Sequence, residues 1–124
     1  MNFARRVFQF AGIYGIIALV PQYFLEEHTG RDFPPAITHP EFFYGFTGVA
    51  LAWQIAFLII ARDPVRYKPI MWCGILEKLS FGIATIVLYL MGRVAWFPPA
   101  AGVVDLIWCV LFYMAIRKTS DRAV

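Results

Sequence analysis

The stretch FFYGFTGVALAWQIAFLIIA, residues 42–61, contains no charged residue and lies between Glu41 and Arg62. A helix needs about 20 mostly apolar residues to cross a hydrocarbon core about 30 Å thick. This stretch has that length, and its apolar residues do not alternate with polar ones as they do in the strands of a membrane barrel. It therefore predicts a transmembrane helix and an all-α membrane protein.

Three further stretches have the same character. The run 7–25 is also free of charge, and the stretches 69–92 and 94–116 contain only Glu77, Lys78 and Asp105 as charged residues. The composition agrees, because 60% of the 124 residues are hydrophobic and 15% are charged, whereas soluble domains have about 45–50% and about 25%. We expect a single domain, a polytopic antiparallel bundle of four transmembrane helices, over about 5–25, 42–61, 70–91 and 99–116.

The lysines and arginines predict the orientation, since the cytoplasmic ends of membrane helices carry an excess of them. Arg31 and Arg93 lie at one end of the predicted spans, and eight basic residues lie at the other: Arg5, Arg6, Arg62, Arg66, Lys68, Arg117, Lys118 and Arg122. We expect both termini in the cytoplasm and a multi-pass protein of a bacterial cytoplasmic membrane. The pI of 9.1 then reflects topology, and no basic and aromatic cluster indicates nucleic-acid binding.

The predicted outer loop, 26–41, is the longest connection. It holds residues whose side chains can ligate metals: Glu26, Glu27, His28, Asp32, His39 and Glu41. Their spacing fits no metal motif, so we expect a solvated acidic loop, without a metal ion or other cofactor.

The charged residues inside the predicted spans are the candidates for a functional site. A charge at mid-bilayer costs about 2.5–3.5 kcal/mol on insertion scales, so such residues indicate function by default. At a rise of about 1.5 Å per residue, they fall at depths similar to those of polar residues on the other spans. We predict a ligand- or proton-binding layer formed by Glu77, Lys78, Asp105, Gln54, Tyr14, Ser80 and Trp108.

Helical spacing predicts which side chains share a face. Cys73, Glu77, Ser80 and Ala84 recur at intervals of four, three and four, so we expect them to form one stripe toward the bundle axis. Glu77 and Lys78 are adjacent and should point about 100° apart. Lys78 is expected either to pair with the aspartate of the fourth span or to extend toward the cytoplasmic head groups.

Residues 76–82, LEKLSFG, followed by residues 92–95, GRVA, resemble the glutamate-then-glycine helix of DoxX-like small bacterial membrane proteins. In that group the glutamate helix comes second, whereas here it is the third predicted span. The resemblance implies a compact four-helix membrane fold, which in some members serves as an accessory subunit of a redox system.

The sequence favours a non-enzymatic membrane module that binds a partner subunit, a second copy of itself or a small lipophilic molecule. The alternatives are a proton-coupled transporter in which Glu77 titrates, a membrane enzyme acting on a lipid or quinone, and a polar clasp that only holds the helices in register. The enzyme is the least favoured alternative, because no nucleophile, metal motif or nucleotide loop accompanies the carboxylates. We therefore predict no catalytic residues. Cys73 and Cys109 lack CxxC spacing and are predicted to be free packing residues.

Overall fold

The computed structural model of the protein describes residues 2–121, and all regular structure in that range is helical. The long helices are α1 (Asn2–Leu19), α3 (Pro40–Arg62), α4 (Lys68–Leu90) and α5 (Phe97–Lys118). A 3₁₀ turn, Val20–Phe24, extends α1, and a short helix α2 (Glu26–Asp32) follows it. Each long helix, α1 with its 3₁₀ extension, is long and apolar enough to cross a membrane. This confirms the all-α fold and the four predicted helices as candidate spans. Arg122, which the orientation prediction uses, lies outside the described residues.

Prolines and one glycine account for the helix ends. Pro40 is the first residue of α3, and Pro69 and Pro98 are the second residues of α4 and α5. Backbone N–H groups at these positions have no partner within the helix, so proline costs no helical hydrogen bond there. Pro21 lies where α1 tightens into its 3₁₀ turn. Gly92 follows α4 with φ of 73°, a left-handed conformation that glycine adopts without a Cβ clash.

The helices pack chiefly in two pairs. α1 lies against α3 and α4 against α5, α1 also contacts α5, and α3 approaches α4 closely at only a few positions. Glycines permit the close approaches, because a Cβ on Gly12 would lie 2.8 Å from the backbone oxygen of Gln54, and a Cβ on Gly82 would lie 3.0 Å from that of Gly102. Small residues have this role at helix contacts in membranes. The weak contact leaves space between α3 and α4.

An aromatic core fills the bundle on the side of the chain termini. Phe8, Phe57 and Phe112 are fully buried, and their ring centroids lie 4.3 Å apart for Phe8–Phe112 and 5.0 Å apart for Phe57–Phe112. Such aromatic pairs contribute about 0.5–1.5 kcal/mol each beyond their buried area. The core closes this end of the bundle.

Large apolar side chains cover the outside of the spans. Phe10, Ile17, Val49, Leu76 and Val110 are each at least 60% exposed. Soluble monomers rarely expose apolar patches of more than a few hundred Å², so this surface is consistent with contact to a lipid bilayer.

The connection between α1 and α3 folds over the other end of the bundle. The sequence predicts a loop over 26–41, but residues Glu26–Asp32 form helix α2. This helix has acidic residues in its first turn and Arg31 in its last turn, which the helix dipole favours. Phe33 stacks on Phe97 with centroids 4.7 Å apart, and the Ala95 amide donates a hydrogen bond of 3.1 Å to the carbonyl of Pro34. The connection is thereby held against the start of α5.

Candidate functional site

A cavity of about 270 Å³ lies among the four long helices. Five of the seven predicted site residues line it: Tyr14, Gln54, Glu77, Lys78 and Asp105. From this polar layer the cavity extends toward Gln22, Thr29 and Phe97, at the end covered by the connection between α1 and α3.

Lys78 is the centre of the polar layer and is 3% exposed. Its Nζ lies 3.6 Å from Oδ1 of Asp105 and 3.7 Å from Oε2 of Glu77. The same ammonium lies 5.3 Å from the ring centroid of Phe57, within the range of a cation–π interaction. Of the two expected orientations, Lys78 therefore adopts the pairing with Asp105.

Glu77 shares the ammonium of Lys78, although adjacent positions on a helix point about 100° apart. The 100° angle between adjacent positions holds for their Cα–Cβ bonds, but the flexible side chains can turn back toward each other. One ammonium thus faces two carboxylates, and the group carries one excess negative charge when both carboxylates are ionised. Oε2 of Glu77 is buried and has no hydrogen-bond partner among the described residues.

Gln54 contributes a second unsatisfied acceptor. The side chain is 1% exposed, and its Nε2 donates a hydrogen bond of 2.8 Å to the carbonyl of Ala50. Its Oε1 has no donor among residues 2–121. The amide packs directly on Gly15, where an added Cβ would overlap Oε1. Sequence reasoning missed Gly15, although its spacing of three from Gly12 places both glycines on one face of the helix.

Two of the predicted site residues lie outside the cavity lining. Trp108 packs against other rings, with centroids 6.1 Å from Tyr14 and 6.3 Å from Phe112. Ser80 is exposed and lines a different space, together with Cys73. The structure does not bring Trp108 and Ser80 to the polar layer.

This second space is a groove of about 650 Å³ between α3 and α4. The stripe Cys73, Glu77, Ser80 and Ala84 lines it, and three of its members, all except Glu77, are exposed. The expectation that this stripe faces the bundle axis is wrong. The opposite face of α4, which carries Gly82, packs on α5 instead.

Four residues line both the groove and the cavity and so form the wall between them: Phe46, Ala50, Glu77 and Phe81. The rings of Phe46 and Phe81 stack across α3 and α4 with centroids 5.5 Å apart. Glu77 therefore borders the central cavity on one side and the lateral groove on the other. Sequence reasoning missed both phenylalanines, since they have no feature that separates them from the other aromatics.

The histidines of the connection between α1 and α3 have separate partners. Nη2 of Arg31 donates to Nδ1 of His28 at 2.7 Å, and Nδ1 of His39 lies 3.0 Å from Oε1 of Glu41. Within the described part of the chain, no three side chains of His, Cys, Asp or Glu lie close enough together to hold a metal ion. Cys73 and Cys109 are both free thiols.

Comparison of the chain with protein-family models, with curated proteins and with solved structures finds no match. The resemblance of residues 76–82 to DoxX-like proteins stays a prediction.

Proposed function

We propose that the protein is a non-enzymatic membrane module that binds one small amphipathic molecule. The polar group of that molecule contacts the cluster of Glu77, Lys78 and Asp105, and its apolar part lies in the groove between α3 and α4. The observation that carries the proposal is that Glu77 lines both the cavity and the groove. Polar groups at the end of an apolar cleft are typical of small-molecule sites.

The unsatisfied acceptors favour a ligand over a clasp that only holds the helices together. Buried polar groups in native proteins are nearly always hydrogen-bonded, so each exception needs an explanation. Here Oε2 of Glu77 and Oε1 of Gln54 both lack a partner among the described residues. A bound molecule that reaches the polar layer can donate hydrogen bonds to these two oxygen atoms.

A proton-coupled transporter is the second candidate, and the shared lysine favours it. Because Lys78 faces two carboxylates, the group can accept one proton without losing its ion pair. If the protein is a transporter, Glu77→Gln abolishes the pH dependence of transport in liposomes. If it is only a binding module, neither the unmodified protein nor the variant transports anything across the liposome membrane.

The binding module is tested with three single-chain probes that differ only in their head group: dodecylamine, dodecanol and dodecanoic acid. We expect at least one of them to bind the purified protein with a stoichiometry of one, as measured by native mass spectrometry from detergent micelles. Ala101→Phe fills the cavity that Ala101 lines and should abolish this binding.

Val103→Phe is the matched control, because Val103 lies on the same helix, is 49% exposed and lines neither space. It should bind the probe as the unmodified protein does. Size-exclusion chromatography checks that both variants are folded. The absence of saturable binding for all three probes, or unchanged binding by folded Ala101→Phe, contradicts the proposed function.

We propose the orientation with both termini in the cytoplasm, supported by the basic residues that follow α3 and α5. A phosphatase reporter fused after Asp32 should be active, and a fluorescent protein fused after Arg66 should be fluorescent. These reporters require the outer and the cytoplasmic side respectively. The reverse pattern would overturn the orientation and the assignment of the outer loop.

A further inference from the structure

We propose that the molecule held at this site is a monovalent cationic amphiphile, a primary ammonium on one alkyl chain, that enters from the lipid between α3 and α4. The inference rests on the proposed function and adds the charge of the ligand and its route.

The charged residues that line the cavity favour a cationic ligand. Its titratable groups are Tyr14, Glu77, Lys78 and Asp105, and Lys78 is the single basic residue among them. The Lys78 ammonium faces two carboxylates at 3.6 and 3.7 Å, so one further positive charge makes the group neutral. An anionic ligand would instead add a second excess negative charge in a medium of low dielectric constant, where repulsion between like charges is strong.

The two oxygen atoms without a hydrogen-bond partner favour a ligand that donates hydrogen bonds. Oε2 of Glu77 and Oε1 of Gln54 are both acceptors without a donor among residues 2–121, and both residues line the cavity. A primary ammonium brings three hydrogen-bond donors, which is enough in number for both acceptors. An ester or ketone brings acceptors only and leaves these atoms unsatisfied.

The groove next to Glu77 suits the rest of such a molecule. Trp53, Phe46 and Phe81 present aromatic rings along it, and aromatic faces attract ammonium groups most strongly where water is excluded. Beyond them, the lining is apolar except for Glu77, Cys73 and Ser80, which suits an alkyl chain.

The packing of the bundle indicates the route. The core around Phe8, Phe57 and Phe112 closes the terminal side, and Phe33 stacked on Phe97 holds the connection over the other end. The weak contact between α3 and α4 leaves the groove as the lateral opening. The stacked Phe46 and Phe81 rings form part of the wall between this groove and the cavity.

The charge of the ligand is tested with the same three probes. We expect dodecylamine to bind about tenfold or more tightly than dodecanol, and dodecanoic acid to bind most weakly, since measured couplings between close charge pairs across interfaces exceed a tenfold change in affinity. Glu77→Gln should bring the ratio of the dodecylamine and dodecanol affinities close to one.

The outcomes separate the two proposals. If dodecanol or dodecanoic acid binds as tightly as dodecylamine and Ala101→Phe abolishes that binding, the cation is wrong and the binding module stands. If no probe binds, the proposed function fails as well. An unchanged preference for dodecylamine in Glu77→Gln contradicts the role of Glu77 in charge selection.

The route is tested with two alanines on the outside of the spans. Ala84 is exposed and lines the groove, whereas Ala52 is exposed and lines neither space. Ala84→Trp fills the groove and should lower both the association rate and the affinity of dodecylamine about tenfold or more, and Ala52→Trp should leave both unchanged. Equal association rates for the two folded variants contradict entry between α3 and α4, and equal affinities contradict binding of the alkyl chain there.

Discussion

Lys78→Met is expected to lower the free energy of unfolding by about 3–5 kcal/mol, the usual cost of removing one partner from a buried ion pair. Lys78 is 3% exposed and its ammonium is the cation facing both Glu77 and Asp105. Without it, two carboxylates remain close together inside the bundle. Unfolding in mixed detergent micelles, followed by tryptophan fluorescence, measures the loss.

Lys68→Met is the matched control on the same helix. Its ammonium lies 2.7 Å from Oδ1 of Asp121, and this hydrogen bond holds the pKa of the exposed Asp121 carboxyl below its ordinary value. Surface ion pairs contribute little to stability, so Lys68→Met should unfold almost as the unmodified protein does. Equal losses in the two variants would contradict the special position of Lys78.

A triple variant separates the loss of charge balance from the loss of the lysine side chain. Lys78→Met combined with Glu77→Gln and Asp105→Asn leaves no charge in the cluster. We expect it to regain most of the lost stability, because replacing a complete buried ion pair is often nearly neutral. Unfolding of the triple variant at the same point as Lys78→Met alone would show that packing, and not charge, causes the loss.

Gly102→Ala is expected to destabilise the protein by about 1–3 kcal/mol, the usual range for overpacking. An added Cβ would overlap Oγ1 of Thr85 and would lie 3.2 Å from the backbone oxygen of Gly82. The Thr85 hydroxyl cannot move freely, since it donates to the carbonyls of Phe81, at 2.9 Å, and Gly82. Helices α4 and α5 must therefore move apart to accommodate the methyl group. The unfolding assay used for Lys78→Met measures the resulting loss of stability.

Gly45→Ala controls for the helix propensity of alanine. Gly45 lies within α3, is exposed, and an added Cβ there would meet no atom within 4 Å. Alanine is more favourable than glycine in a helix by about 1 kcal/mol, so this variant should be as stable as the unmodified protein or slightly more stable. A Gly102→Ala protein that is equally stable would contradict the close packing of α4 on α5.

The four spans could be predicted because the bilayer imposes a length. The uncharged run 42–61 becomes α3, Pro40–Arg62, with its ends moved by one or two residues. The predicted span 70–91 becomes α4, which starts two residues earlier because the proline at its second position suits the first turn. The length of an apolar stretch and the scarcity of charged residues within it are enough to predict a span, whatever the helix packs against.

Part of the candidate site could also be predicted, because depth along a helix follows from residue number. Tyr14, Gln54, Glu77, Lys78 and Asp105 line one cavity, as their similar depths suggest. Their partners could not be predicted, since two side chains at one depth on different helices need not face each other. The lysine between two carboxylates is therefore a result of the tertiary structure.

The sequence by itself determined the all-α fold, the four spans and the polar layer within them, because hydrocarbon thickness and helix rise act on each helix alone. Only the tertiary structure decided which helices pair. Periodicity places Cys73, Ser80 and Ala84 on one face, but that face borders a groove, because Gly82 and Gly102 bring α4 onto α5 on the other side. Close packing is a property of two surfaces, and a single helix specifies only one of them.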